Sequence, residues 1–140
     1  MLTEIRLGTL DDLPFVKDSW LKAEKHTFPN QYALDFSKHF QEHMQPIIDQ
    51  SVILVANLPG DTNEILSYII YSSFRLNEVV HFAYTKTDAR RQGLLNHLLE
   101  FSNPSHLPIV FTHAAKNENV MKSLCKRYIF DPSMLKVMGF

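Results

Sequence analysis

The chain has one cysteine in 140 residues, Cys125. No disulfide can form within it, which fits a reducing compartment. It also lacks an excess of either charge, with 15 acidic residues against 14 lysines and arginines. That balance offers no general attraction for nucleic acid or anionic lipid, so any anion it binds must be held locally. The opening residues, MLTEIRLGTL, lack a basic stretch followed by an apolar run and a small-residue cleavage site, and no apolar run approaches bilayer length. Repeats and low-complexity linkers are missing too. The expectation is a soluble, cytoplasmic protein without nucleic-acid or membrane partners, folded as one domain over 1–140 that is long enough to bury its own core.

Apolar spacing supplies the elements. Ile5 and Leu7 alternate with polar neighbours as a half-buried strand over 4–9. Thr9 and Asp12 resemble a capping box for a helix reaching about Lys25, with Leu13, Val16 and Trp20 on one face. Phe36, Phe40, Met44 and Ile48 recur every four residues and predict a second helix, which Pro46 should bend or end early. The period then changes. SVILVANL and EILSYIIYSS, joined by PGDTN, read as a hairpin, and EVVHFAYT (78–85) as a central strand with both faces covered. Leu94, Leu95, Leu98 and Leu99 mark a helix stopped by Pro104. A buried strand (PIVFTHA), a helix over 117–128 and a terminal strand over 134–140 complete the chain.

The segment KTDARRQGLLNHLLEF lies where the central strand turns into the leucine-rich helix. A helix start leaves its first backbone N–H groups unpaired, and the macrodipole favours an anion there. Gly93 permits close backbone approach, and Arg90 and Arg91 supply positive charge, so the turn is a candidate pyrophosphate seat. The bland reading of the same residues is a solvated, basic helix start.

On the order of its elements and on RRQGLL, where Arg90 and Gly93 fill two positions of the pyrophosphate motif, the sequence resembles the GNAT superfamily of acyl-CoA-dependent N-acyltransferases. Leu95 stands where the family has Gly or Ala, and either keeps its N–H while turning its side chain into the core or points at the cofactor. The resemblance implies an α/β (α+β) fold, with a mixed central sheet flanked by about four helices and splayed between strands 4 and 5. It implies acetyl-CoA as co-substrate, no metal, and transfer of an acetyl group to a primary amine of a small molecule, peptide or protein. Ala83, Tyr84 and Thr85 would meet the pantetheine arm, and Arg90, Arg91, Gln92, Gly93, Leu94 and Leu95 the pyrophosphate; Asn117 or Asn119 would contact the cofactor from the penultimate helix. Another use of the same fold is a non-catalytic acyl-CoA-binding or regulatory module.

The family's usual base, a glutamate on the fourth strand, falls at Val79, with Glu78 adjacent on the opposite face. By strand alternation His81 shares the face of Val79, Ala83 and Thr85, and its ordinary pKa suits a general base. Against that stands the plainer reading of a satisfied core histidine. The family's acid, a tyrosine in the penultimate helix, falls at Leu124, and Tyr128 is the nearest tyrosine. His39 and His43 have the spacing of helical metal ligands but no evident third ligand. His113 follows the fifth strand at a place that can line an acceptor cleft, and the C-terminal tail could pair with a second copy as a homodimer.

Overall fold

The structure, a computed structural model, describes residues 3–27, 36–75, 77–90, 92–103, 108–113 and 128–140. Six strands form one sheet in chain order: β1 (Glu4–Leu7), β2 (Val52–Leu58), β3 (Asp61–Phe74), β4 (Asn77–Thr85), β5 (Ile109–Phe111) and β6 (Tyr128–Phe130). Antiparallel pairing joins β1 through β4, whereas β5 and β6 run parallel to β4.

Helix α1 (Leu13–Thr27) starts behind a capping box in which the Asp12 carboxylate accepts from the Thr9 N–H at 2.7 Å. Arg6 closes the same carboxylate from β1, with its two terminal nitrogens donating at 2.7 and 2.9 Å. The α2 region is α-helical at Phe36–His39, π-helical at Phe40–Met44 and α-helical again at Gln45–Asp49. Pro46 was expected to bend or end it. The ordinary ladder does break there: the π-turn ends at Met44, two residues before the proline whose N–H is missing, and the helix stops at Asp49.

The two faces of the sheet carry separate cores. Val16 and Trp20 of α1 and Met44 and Ile47 of α2 pack on Val55, Tyr68 and Ile70. On the other face Leu98 and Leu99 of α3 (Leu94–Ser102) pack on Leu54, Ile69, Val80 and Ile109. Each face therefore buries one amphipathic helical layer, as the alternating strands require.

Near the C-terminus the structure departs from the sequence reading. Residues 134–140 do not form a strand: Met134–Val137 is a short helix, α4, and the last strand is Tyr128–Phe130. Asp131 accepts from the backbone N–H of Ser133 at 3.1 Å and from its hydroxyl, ending the strand, and Leu135 and Phe140 then reach the α1-side core as a helical turn allows. Of the helix expected over 117–128, residues 117–127 lie outside the described residues, and Tyr128 belongs to β6.

Candidate active site

β4 and β5 pair only at Glu78↔Ile109, Val79↔Val110 and Val80↔Phe111. On its other edge β4 stays paired with β3 as far as Thr85. Beyond Val80 the two parallel strands therefore part, and among the described residues Ala83, Tyr84 and Thr85 have no β5 partner. The parting edge is itself held in place: the Ser67 hydroxyl donates to the Tyr84 carbonyl at 2.7 Å, and Arg90 Nε donates to the Thr85 carbonyl at 3.2 Å.

After Thr85 a single 3₁₀ turn, Thr87–Ala89, leads toward α3. Ala89 and Leu94 bury themselves against Leu66, pinning both ends of the turn, while Gln92 and Gly93 are exposed. Gly93 caps α3 at φ 73°, ψ 14°, a left-handed conformation that costs any other residue 1–2 kcal/mol on general grounds. The first bond of the helix runs from the His97 N–H to the Gly93 carbonyl. The N–H groups of Leu94, Leu95 and Asn96 thus precede it at the positive end of the helix. Leu95 turns its side chain into the α3-side core, the first of the two orientations open to it. Arg91, Asn117 and Asn119 lie outside the described residues.

Of the three residues expected to carry the chemistry, His81 departs from strand alternation, Glu78 lies on the face opposite Val79 as alternation implied, and Tyr128 lies on a strand where a helix was expected. Ile70 pairs with Phe82 and Tyr71 with Val80, so His81 is an extra residue, a β-bulge. Because of it Val80 and Ala83 both belong to the α3-side core while Phe82 and Tyr84 face α1. His81 therefore does not share a face with Ala83 and Thr85. It is fully buried, with Ser72 Oγ 3.0 Å from Nε2 and Thr112 Oγ1 2.9 Å from Nδ1, and burial pushes its pKa down to about 4. Both nitrogens are occupied, so His81 cannot itself take a proton from a substrate. Glu78 and Tyr128 lie in one row of the sheet with Ile109 between them, on the α3 side. That row is roughly 15 Å along the strand from Ala83. Tyr128 is buried there, its ring 4.7 Å from that of Phe111.

The α1 face at the parting strands holds groups that no local pattern brought together. Trp20 stacks on Phe82 at 5.4 Å and meets the His113 ring edge-on at 5.4 Å. His113 Nδ1 lies 2.9 Å from Thr112 Oγ1, and its Nε2 lies 3.3 Å from His43 Nε2, on the π-turn of α2. Burial, with the neighbouring His43 adding to it, holds His113 down to about 3, and burial beside His39 lowers His43. Glu24, one helical turn beyond Trp20, is 7% exposed, and burial raises its carboxyl above the ordinary range. Among the described residues no group of three or more His, Cys, Asp or Glu is arranged to hold a metal ion. No helix among them is long and apolar enough to cross a membrane.

The sequence matches no protein-family model and no curated protein. The fold does find relatives among solved structures. A possible acetyltransferase from Clostridium difficile 630 superposes with a TM-score of 0.61 at 17% identity, covering 94% of this chain and 93% of that one. Its fold is that of the GNAT acetyltransferases. The ribosomal-protein-S18-alanine N-acetyltransferase of Escherichia coli superposes at TM-score 0.57 and 15% identity, over 89% of this chain and 75% of that one. The PaiA N-acetyltransferase of Thermoplasma acidophilum, in complex with coenzyme A, does so at 0.53 and 14%, over 74% and 71%. In this GNAT fold the parting of β4 from β5, read on the sequence as a family trait, is a feature of the described residues.

Proposed function

We propose that the protein is an acyl-CoA-dependent N-acyltransferase that moves an acetyl group from acetyl-CoA to a primary amine. The observation that carries this reading is the adjacency of two features: a β4 edge released from β5 at Ala83–Thr85, and a helix start entered through left-handed Gly93 only eight residues after Thr85. An extended thioester arm can pair with the first as an added strand does, and a pyrophosphate suits the second. The inward turn of Leu95 leaves the approach to the first-turn amides clear of its side chain. Acyl transfer then needs the amine neutral and aligned on the thioester carbonyl, with the thiolate of CoA leaving and no covalent enzyme intermediate.

Isothermal titration with acetyl-CoA and with CoA tests the reading. Micromolar binding is expected, followed by thiol release when amines are supplied. Gly93→Ala meets no atom within 4 Å, so its effect reports the backbone alone. The strain of an alanine at this φ should cost the seat roughly tenfold in affinity with the fold retained. Absence of binding by the wild type would sink the proposal. Binding without turnover on any amine would favour the non-catalytic acyl-CoA-binding module instead, to which the distance of Glu78 and Tyr128 from the β4 edge lends support.

A further inference from the structure

Val16, Trp20 and Glu24 stand four residues apart and form one buried stripe of α1. The stripe crosses the sheet. The Tyr68 hydroxyl of β3 donates to the Val16 carbonyl at 3.3 Å, Trp20 stacks on Phe82 of β4, and the same indole meets His113, which follows β5. Phe82 and His113 belong to the two strands that part, so Trp20 spans the fork on this side of the sheet. Glu24 is the next side chain along, about 6 Å farther on the helix axis, and helical side chains lean toward the N-terminus, which brings its carboxyl back toward the indole.

A buried carboxylate needs a cation or a set of donors, and among the described residues Glu24 has neither. Arg6, Lys22, Lys38 and Lys86 pair with Asp12, Asp18, Glu42 and Glu64. Trp20 favours the charged form of Glu24 less than burial opposes it, and its own buried Nε1 has no hydrogen-bond partner. Neither Glu24 oxygen is sealed from solvent without a partner as Nε1 is, so the small exposed part of the residue is its carboxyl end. The titratable groups on the surrounding elements supply no positive charge. His81 and His113 stay neutral, His43 is lowered, and these rings join Ser72 and Thr112 in a hydrogen-bonded series from Ser72 to His43 that passes Trp20, with His39 beyond it on α2. From β3, burial pushes the Tyr68 hydroxyl up, so it stays neutral too. A cation is what this place lacks.

We propose that the Glu24 carboxylate receives the ammonium of the acceptor and is the general base of the acyl transfer. This rests on the acyltransferase reading. An acceptor ammonium gives one proton to Glu24, which passes it to water. The freed nitrogen attacks the thioester carbonyl carbon, a C–N bond forms and the C–S bond breaks with its electron pair on sulfur. The second proton lost by the attacking nitrogen ends on that sulfur, giving the amide and CoA thiol. Burial serves both parts of the task, since it makes the carboxylate a better proton acceptor than an exposed one and leaves its charge for the incoming cation to relieve.

Thiol release from acetyl-CoA, followed on the 140-residue chain with n-butylamine and with phenethylamine, tests the assignment. Glu24→Gln keeps the size of the side chain and removes the base, so kcat should fall roughly 100-fold with acetyl-CoA affinity unchanged. Its melting temperature at pH 7 should not fall, which separates loss of a base from loss of the fold. The pH profile supplies a second reading. A wild type that binds the ammonium and deprotonates it has a kcat/KM that levels off above the Glu24 ionisation, whereas Glu24→Gln must take the amine already neutral, and its kcat/KM should climb about tenfold per pH unit toward the amine's own pKa. A wild-type profile that climbs in the same way, full turnover in Glu24→Gln, or lost turnover with a lowered melting temperature each overturns the base assignment and leaves the acyltransferase standing. Failure of the wild type to bind acetyl-CoA, or to turn over either amine, overturns the acyltransferase reading and this role with it.

Discussion

Acidification from pH 7 to pH 5 should weaken this fold before its stabilising carboxylate titrates. An unfolded imidazole takes up its proton near pH 6.5, whereas burial holds folded His81 to about 4 and folded His113 to about 3. A base whose folded pKa lies below its unfolded one is protonated first in the unfolded state. Its stabilising contribution is therefore complete above about pH 6.5 and is lost as the pH falls toward the folded value. Between pH 7 and pH 5 each ring costs about 2 kcal/mol, so the two remove about 4 kcal/mol from a total that for a domain is typically 5–15. His43 is lowered as well and acts in the same direction. The Asp12 carboxyl, held below its ordinary 3.8 mainly by the Arg6 hydrogen bonds, contributes its loss only at lower pH. Urea unfolding at the two pH values reads the difference as a change in midpoint at constant slope. His81→Gln keeps a donor and an acceptor for Ser72 and Thr112 while removing one titrating ring, and should lose only about half as much on acidification. A midpoint that stays constant from pH 7 to pH 5, or a variant that follows the wild type, would refute the claim that these rings are held neutral.

Glu24 has the opposite sign. Its folded pKa is raised by burial, so its contribution is present below the unfolded value of 4.5 and lost as the pH rises through the folded one. Glu24→Gln should stabilise the protein at pH 7 by about 1 kcal/mol and remove that part of the pH dependence; a variant less stable than wild type in a pH 7 melt would show that the charged carboxylate is compensated. Asp12→Ala strips Arg6 of two short bonds and the Thr9 N–H of its acceptor. It should cost about 2 kcal/mol by chemical denaturation, and a change below about 0.5 kcal/mol would mean that solvent replaces the cap.

Local periodicity carried much of this architecture. The hairpin around PGDTN, the apolar run of β4, and the leucines of α3 at spacings of three to five each follow from how one element buries one face; the last two lie where the sequence placed them, and the hairpin turn is shorter than read, since β3 begins at Asp61. Gly93 was singled out for close backbone approach, and the structure adds that it enters the helix in the left-handed conformation that glycine adopts most readily. Three features were not legible. The tail MLKVMGF reads as an apolar strand over 134–140, yet Asp131, Pro132 and Ser133 make a turn before it, and the core accepts Leu135 from the short helix and Phe140 from the residues after it. Pro46 signals a break, but not that it takes the form of a π-turn over Phe40–Met44. The series from Ser72 to His43 joins residues from β3, β4, the end of β5 and α2, and no spacing along the chain marks it.

The bulge at His81 links these observations. Without the extra residue, alternation would place His81 on the same face as Ala83, and its ring would not share a side of the sheet with Phe82 and Tyr84. With it, one strand serves two purposes: up to Val80 it is paired on both edges as a core strand, and from Ala83 it has, among the described residues, a partner on the β3 edge alone, beside the helix start. A bulge increases local twist and bends its strand. β5 follows β4 only to Val80, and the Thr112 N–H still donates to the Val80 carbonyl at 3.1 Å as the strands separate. The polar residues that a dry core would exclude, His81 and Thr112, stand at that fork and hydrogen-bond each other. Their burial costs acid stability, and the hydrogen bonds from Thr112 lead on through His113 to His43. A sheet closed by a β5 long enough to reach Thr85 would abolish the edge and the fork together.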